Sequence, residues 1–185
     1  MRDLRAARPH AGLVAQIARA DGARTVAVVD PSPDRLAIAR SLGFDVIDEI
    51  EPRGATTQLK RRFGANGVNV AFECSGAPSA LHEAIRVVRP LGTVVVVGFI
   101  QGDAVGLRLG EEFHHNGVRL VSGQIQNMHP TLDRDRLTRR SVELALSGKV
   151  TFGGLPRLTI PVEDIDRGVA ALRERSTLQV ALTYS

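Results

Sequence analysis

Apolar and polar positions alternate in blocks along the first two thirds of the chain, where short valine-rich runs are separated by amphipathic segments. Such runs are typical of strands that are buried on both faces. The intervening segments place apolar residues three and four positions apart, which indicates helices. The pattern predicts strands over 25–30, 44–47, 68–74, 92–99 and 119–124, and helices over 11–20, 33–42, 55–63 and 79–88.

Four repeats of strand and helix predict an α/β fold, in which a parallel sheet is covered by helices on both sides. Right-handed crossovers place ligands at the carboxyl ends of the strands in such a fold. The candidate site therefore gathers the residues that end or follow the strands: Asp30, residues 73–76, Gly98, Phe99 and residues 122–124.

The regular alternation weakens beyond residue 124. A helix over 132–147 is followed by a predicted strand, helix and strand over 158–161, 162–173 and 178–182. Gly153 and Gly154 lie where the building of the main sheet stops, which is where a domain boundary is expected. We therefore divide the chain into a unit over 1–153 and a C-terminal strand-helix-strand segment over 154–185.

Composition narrows the class of protein. The chain has 185 residues, of which 43% are hydrophobic and few are aromatic, so one well-packed aliphatic domain is expected. A single cysteine, Cys74, excludes an internal disulfide and fits a reducing, cytoplasmic compartment. No apolar run is long enough to span a membrane. The net charge of +4 comes from scattered arginines, so nucleic acid is not an expected partner.

Asp30 ends the first predicted strand and precedes a Pro-Ser-Pro turn. In a doubly wound fold, an acidic residue at the tip of the second strand is placed to accept hydrogen bonds from a ribose diol. The alternative is that its carboxylate opens the following turn or caps the following helix. The residue type and position are compatible with both interpretations.

Several stretches resemble, in their order and spacing, the zinc-type alcohol dehydrogenases of the medium-chain dehydrogenase/reductase family. The resemblance covers nearly the whole chain and implies the cofactor-binding half of such an enzyme, with a Rossmann-like doubly wound parallel sheet over 1–153. In the family, the segment that corresponds to 154–185 returns to the catalytic domain. The matching stretches are GLVAQIARADGA at 12–23, Asp30 with RLAIA at 35–39, FECSG at 72–76, LGTVVVVG at 91–98, EFHHN at 112–116, LSGKV at 146–150, IPVEDI at 160–165 and QVAL at 179–182.

The resemblance implies roles for individual residues. Asp30 would hold the hydroxyl groups of the adenine ribose and favour NAD over NADP, since a carboxylate repels a 2′-phosphate. Arg35 would flank the same ribose, or else be an ordinary surface arginine. The adenine side would be lined by Ser75 and Gly76, and the nicotinamide carboxamide would meet backbone groups of Gly98, Phe99, Ser122 and Gly123.

The chain departs from the family at its phosphate-binding turn. The corresponding segment, 6–11, has the sequence AARPHA and contains no glycine, although glycines normally let the backbone approach a pyrophosphate. Arg8 or His10 would then have to pair with the phosphates directly. The apolar strand before this turn, which lies in the middle of the sheet in the family, is also absent. Three alternatives are open. Either residues 2–8 form a poor strand, or a partner or another segment fills the gap, or the chain is a truncated copy.

The second departure is the absence of the family's N-terminal catalytic domain, which supplies the zinc ligands and most of the substrate pocket. The five histidines and Cys74 show no spacing typical of a metal site, so no zinc is expected. Adjacent His114 and His115 point to different helix faces. Glu73 at a strand tip is interpreted as structural rather than as a general acid. The catalytic residues therefore stay unassigned, and the chain alone is not expected to be a competent alcohol dehydrogenase.

Three functions remain open. The first is the NAD(H)-binding portion of a zinc-dehydrogenase-like oxidoreductase. The second is a non-redox domain on the same fold that binds another small molecule, or catalyses proton transfer or cyclisation in the vacated cleft. The third is a structural partner subunit. For the second function the unranked candidate residues are His10, Glu73, His114 and His129.

The segment 105–109 alternates apolar and other residues, which predicts a one-sided edge strand. In the family, the corresponding strand pairs with its copy across a two-fold axis. We therefore expect a homodimer that forms through this edge.

Overall fold

The structure, a computed structural model, describes residues 10–48, 54–124, 131–152, 157–174, 176–177 and 179–184. Strands and helices alternate from the first described residue, as predicted. The strands are β1 (Ala27–Asp30), β2 (Asp45–Asp48), β3 (Val68–Glu73), β4 (Val88–Val96), β5 (Arg119–Ser122), β6 (Arg157–Pro161) and β7 (Gln179–Thr183). The helices are α1 (His10–Ala20), α2 (Pro33–Ser41), α3 (Gly54–Phe63), α4 (Pro78–Val87), α5 (Arg134–Leu146) and α6 (Ile165–Arg173).

The parallel strands of the first unit form two separate sheets. β1 pairs with β2, and β3, β4 and β5 pair in that order. Among the described residues, no strand pairs with both β1 and β3. The interruption lies where the first strand of the family's sheet was predicted to be missing. Residues 2–8, for which a poor strand was one of three alternatives, lie outside the described residues.

Helices cover both faces of these strands, which confirms the predicted layers. On one face, Ala15 of α1 and Ala39 of α2 pack with Phe44, Val26 and Val28. On the opposite face, α3 packs against both sheets, and the cluster at its centre contains Ile47, Ala55, Leu59 and Val87. The alternation of side chains along β1 explains this arrangement, since successive residues point to opposite faces.

The core beneath α4 contains the most deeply buried side chains among the described residues. Leu81 and Ile85 of α4 pack against Val88 and Val94 of β4 and against Val118. Ile85 and Val94 have no exposed surface. The predicted aliphatic core is therefore present, and it fixes the position of the central strand β4.

The strand predicted over 92–99 begins earlier and ends earlier than expected. β4 starts at Val88, directly after α4, and its pairing with β3 shifts register between Val88 and Thr93. Pro90 lies inside this irregular stretch, where a residue without a backbone N–H is tolerated. Leu91 has a φ of +60°, and its N–H donates to the carbonyl of Asn116. The strand therefore begins with a bulged stretch directly after the end of α4.

The predicted edge strand over 105–109 is not formed. Val105 and Gly106 lie in a turn, in which the N–H of Leu107 donates to the carbonyl of Ala104. The φ of Gly106 is +89°, a conformation that is incompatible with a regular strand. A helical turn then begins at Leu109 and extends to Phe113.

A polar network that the sequence analysis did not predict joins α3, α4 and this helical turn. Glu83 accepts hydrogen bonds from Thr56 and Arg86, and Arg86 also donates to Glu112 at 2.9 Å. Burial by itself would raise the pKa of Glu112, but the hydrogen bond and charge of Arg86 hold this pKa below its usual value. The network therefore fastens the turn to α4 through charge-assisted hydrogen bonds.

The C-terminal elements form the predicted strand-helix-strand unit. β6 pairs in parallel with β7, and α6 packs against both strands. A Cβ atom on Gly168 of α6 would lie 2.9 Å from side-chain atoms of Ile160 and Val180, so the helix approaches the strands closely. Residues 153–156 lie outside the described residues, and the division of the chain at residue 153 stays a prediction.

Candidate functional site

Most of the predicted site residues lie at the carboxyl ends of the parallel strands. Glu73 of β3 is paired with Val96 of β4, and Val96 with Ser122 of β5. The segments that follow these residues therefore leave the three-stranded sheet at the same end. Asp30 occupies the corresponding position at the end of β1, where it is paired with Asp48.

The Asp30 carboxylate is held by two partners from the residues that follow it. Oδ1 accepts a hydrogen bond from the N–H of Ser32 at 2.8 Å, so Asp30 does open the turn that leads into α2. The guanidinium of Arg35 donates from Nε to both carboxylate oxygens at 2.8 Å. The structure thus assigns Arg35 to Asp30 and not to an ordinary surface position.

The remaining capacity of Asp30 determines whether it can also hold a ribose. Oδ1 accepts hydrogen bonds from Ser32 and from Nε of Arg35 and forms an ion pair with Nη2 of Arg35, whereas the one donor to Oδ2 among the described residues is Nε. A carboxylate oxygen has two lone pairs, so Oδ2 can accept one further hydrogen bond. The side chain keeps 21% of its surface exposed, so the carboxylate is only partly enclosed.

Glu73 is buried, and its carboxylate organises the loop after β3. Oε1 accepts hydrogen bonds from the N–H and the hydroxyl of Ser75 at 2.6 Å and from the N–H of Gly76 at 2.9 Å. Its backbone carbonyl accepts from the N–H groups of Val97 and Gly98. Oε2 accepts a hydrogen bond from the N–H of Gly76 at 3.1 Å, and Glu73 is only 3% exposed, so its carboxylate is enclosed by the protein. This geometry gives Glu73 a structural role in the loop after β3, and its role as a proton-transfer candidate stays a prediction.

Gly76 and Gly98 allow the two loops to approach each other closely. A Cβ atom on Gly98 would lie 2.2 Å from the nitrogen of Gly76 and 2.6 Å from Oε2 of Glu73. A Cβ atom on Gly76, whose φ is +73°, would lie 2.3 Å from the carbonyl oxygen of Phe99. Both glycines therefore have a packing role that the sequence analysis missed. The available signal was a glycine after each of two neighbouring strands.

Ser75, Phe99, Ser122 and Gly123 are the other predicted site residues at this end of the three-stranded sheet. The hydroxyl of Ser75 donates to Glu73 and accepts from the N–H of Ala77, so this side chain is already engaged. Phe99 is largely exposed. Ser122 accepts a hydrogen bond from the N–H of Gln124, and the N–H of Gly123 donates to the carbonyl of Val96.

The histidines do not assemble with other metal-binding residues in the part of the chain that the structure describes. His114 and His115 are both exposed, and their rings meet edge to face at 5.6 Å. No group of three or more His, Cys, Asp or Glu side chains among the described residues is arranged to hold a metal ion. Arg8, the side chain of His10 and His129 lie outside the described residues, as does most of the predicted phosphate turn.

The parallel strands, the helices on both faces and the polar residues at the strand ends define a Rossmann-like doubly wound domain. This chain is similar in sequence to known dehydrogenases. The zinc-binding dehydrogenase family matches residues 11–133. D-guloside 3-dehydrogenase of Escherichia coli is 34% identical over 130 residues, which are 69% of this chain and 36% of that protein. An alcohol dehydrogenase of Cupriavidus necator is 27% identical over 154 residues, which are 80% of this chain and 39% of that protein.

A solved structure extends this similarity to the fold. An alcohol dehydrogenase zinc-binding domain protein from Burkholderia ambifaria matches 94% of this chain and 47% of its own, with a TM-score of 0.73 and 26% identity. This chain belongs to the zinc-binding dehydrogenase family, and the predicted resemblance is confirmed. It spans between about a third and a half of the length of these relatives. In the described part of the chain, no helix has the length and apolar character of a membrane span.

Substitution of Gly98 by alanine is expected to destabilise the protein by about 2–3 kcal/mol, because its Cβ would overlap backbone atoms of the neighbouring loop. Thermal or urea unfolding monitored by circular dichroism measures this loss. The matched control is Gly12→Ala in α1, where a Cβ meets nothing within 4 Å. This control should be stabilised by roughly 0.5–1 kcal/mol, and equal effects of the two variants would contradict the packing role.

Cys74 is expected to be unreactive at neutral pH, because burial and the neighbouring charge of Glu73 raise the pKa of its thiol from 9.0 to about 11. Alkylation by iodoacetamide at pH 8 should therefore be roughly a hundredfold slower in the folded chain than in urea. The folded-state rate should rise as the pH approaches 11. A similar rate before and after unfolding at pH 8 would show that the thiol is not shielded.

Proposed function

We propose that this chain is the NAD(H)-binding portion of a zinc-dehydrogenase-like oxidoreductase. The observation that carries the proposal is the carboxylate of Asp30 at the end of β1, which is oriented by Ser32 and Arg35 while Oδ2 can still accept a hydrogen bond. The family membership of the chain supports the same function. The dehydrogenase names of the relatives agree with an oxidoreductase, and the substrate of this chain is left open.

Asp30 would hold the adenine ribose through Oδ2, since a vicinal diol presents a hydroxyl donor to a carboxylate oxygen. Arg35 is a positioning residue in this proposal, because its guanidinium fixes the carboxylate in one orientation. The pairing of Arg35 with Asp30 also affects the choice between NAD and NADP. While Arg35 is engaged by Asp30, its charge is less available to a 2′-phosphate, and the carboxylate repels that phosphate.

The remaining contacts would come from the loops after β3, β4 and β5. Gly76 and the backbone from Val97 to Phe99 form a close-packed surface against which a planar ring could lie. Backbone groups of Ser122 and Gly123 would face the carboxamide, as the family resemblance implies. NAD supplies a nicotinamide ring that accepts or releases a hydride. This chain's own residues would bind and orient the cofactor, with the acid-base groups and substrate contacts supplied from outside the described residues.

We further propose that the protein acts in the cytoplasm, which the single cysteine supports, and that it forms a homodimer. The segment 105–109 is not a strand in the structure, and Val105 is 83% exposed, so pairing through this edge requires the segment to become extended on association. Light scattering at micromolar concentration should give twice the mass of 19.9 kDa. A monomer mass across the concentration range would contradict the dimer.

Asp30→Ala is expected to weaken NADH binding by about tenfold to a hundredfold, because a charge-assisted hydrogen bond to the ribose is lost. The same change frees Arg35, so the preference for NADH over NADPH should shrink or reverse. Isothermal titration calorimetry with each reduced cofactor measures both affinities. This experiment needs no substrate and measures cofactor binding alone.

The matched control is Asp34→Ala, which removes an equal charge from an exposed position in the first turn of α2. It should leave both affinities within about twofold of the parent chain. Melting temperatures establish that the variants are folded before affinities are compared. Absence of NADH binding by the parent chain at millimolar cofactor would instead favour the repurposed non-redox domain.

A further inference from the structure

We propose that the cleft between the end of α1 and the face of α5 is a binding site for a phosphate monoester. This site, called the arginine cleft below, has a cavity volume of about 380 Å³. It contains none of the strand-end residues of the candidate cofactor site, so the proposal does not depend on NAD binding. The residues that line it are Asp21, Arg136, Leu137, Arg139, Arg140 and Glu143.

The helical repeat of α5 places three arginines on one wall of the arginine cleft. Arg136, Arg139 and Arg140 are three and four positions apart, so their side chains share one face of the helix. Glu143 continues this face, and Asp21, directly after α1, lies on the opposite wall. Three guanidinium groups therefore face two carboxylates, and the cleft has an excess of positive charge.

Asp21 joins the two walls through its ion pair with Arg140. Nη2 of Arg140 lies 3.0 Å from Oδ1 of Asp21, and Nη1 lies 4.0 Å from Oε2 of Glu143. The two partners are 119 positions apart in the sequence, so the contact belongs to the tertiary structure. It holds α5 beside the end of α1, and it leaves the charge of Arg140 largely compensated.

Arg136 and Arg139 carry the uncompensated charge of the cleft. Both are exposed, and neither side chain forms an ion pair with an acid among the described residues. Asp133, the nearby N-cap, uses its carboxylate for the backbone N–H groups of Asp135 and Arg136. Like charges three or four positions apart destabilise a helix. An anion held between the two guanidinium groups would relieve this repulsion.

The pair of guanidinium groups fits a phosphate better than a carboxylate. Each guanidinium presents a planar fork of N–H donors that binds an oxyanion through two hydrogen bonds. One fork occupies both oxygens of a carboxylate, whereas a phosphate monoester has three terminal oxygens and accepts from two forks. At neutral pH it also carries a charge of about −1.5 to −2, which matches Arg136 and Arg139 together.

The rest of the cleft can hold an organic group that carries hydroxyls. Its volume falls in the range of small-molecule sites, about 300–1,000 Å³. Leu137 is 39% exposed and supplies an apolar contact. Arg140 contacts Oδ1 of Asp21 and Oε2 of Glu143, so the second oxygen of each carboxylate can accept a hydroxyl group. The ligand class is therefore a phosphate monoester of a hydroxylated molecule.

The test is a titration of the full ¹⁵N-labelled chain with inorganic phosphate and with glycerol 3-phosphate, followed by amide chemical shifts in NMR spectra. Both ligands are added at neutral pH and constant ionic strength, with sodium chloride as the exchange salt. Saturable shifts are expected for residues 20–22 and 134–143. Glycerol 3-phosphate should bind at least about threefold more tightly than inorganic phosphate, because its hydroxyls reach the two carboxylates.

Substitutions in α5 assign the binding to individual arginines. Arg136→Gln and Arg139→Gln should each weaken the binding of both phosphates at least about tenfold, since each removes one charged fork. Arg134→Gln is the matched control, because it removes the same charge from the same helix but not from the lining of the cleft. Its affinities should stay within about threefold of those of the parent chain.

Asp21→Asn provides a test in the opposite direction. This change releases Arg140 from its acidic partner, so a third guanidinium becomes available to the anion. Inorganic phosphate should then bind at least about twofold more tightly than to the parent chain. Melting temperatures establish that every variant is folded before affinities are compared.

Four results would overturn the proposal. The first is the absence of saturable shifts with either phosphate at roughly 20 mM. The second is an equal response to sodium chloride alone, which would reduce the effect to charge screening. The third is a set of shifts confined to the ends of β1 and β3, which would assign the phosphate to the candidate cofactor site. The fourth is an equal loss of affinity in Arg134→Gln and Arg139→Gln, which would show that only the overall charge of α5 matters.

Discussion

The backbone hydrogen bonds of the parallel strands are the constraint on which the arrangement of the first unit depends. Each parallel strand must satisfy its N–H and C=O groups with its neighbours, and the strands β1 to β5 do so in one group of two and one group of three. The two groups share one aliphatic cluster, in which Ala55 and Leu59 of α3 lie together with residues from β1, β2 and β3. The aliphatic cluster under α3 therefore substitutes for direct strand pairing. The aliphatic cluster under α3 therefore also fixes the positions of the strand ends that form the candidate site.

Two carboxylates at strand ends illustrate how similar residues acquire different roles. Glu73 is buried and receives hydrogen bonds from the loop that follows it, so it serves the packing of that loop against Gly98. Asp30 is partly exposed, and its partners leave one oxygen with capacity for a further donor. The difference lies in burial, since Glu73 is 3% exposed and the Asp30 side chain is 21% exposed. Asp30 is therefore the carboxylate of the two that an external hydroxyl group is better able to approach.

The features that were predicted well are those set by local periodicity. The six helices lie within a few residues of their predicted positions, and so do the strands β1 to β3 and β5 to β7. Each of these elements depends on a pattern within a short window of sequence. The predictions for 92–99 and 105–109 were less accurate for a different reason. Pairing with β3 extends β4 back across Pro90, and a turn at Gly106 replaces the expected strand, and both outcomes depend on contacts beyond the segment itself.

The candidate site shows the same division. The residue types and their order were sufficient to select Asp30, Glu73 and the glycines after the strands, and to recognise the dehydrogenase family to which the chain belongs. The pairing of Arg35 with Asp30, the enclosure of Glu73 and the contact between Gly76 and Gly98 were decided by the tertiary structure. The physical reason is that periodicity records which side chains prefer burial, whereas hydrogen-bond partners are chosen only when separate segments are brought within reach of one another.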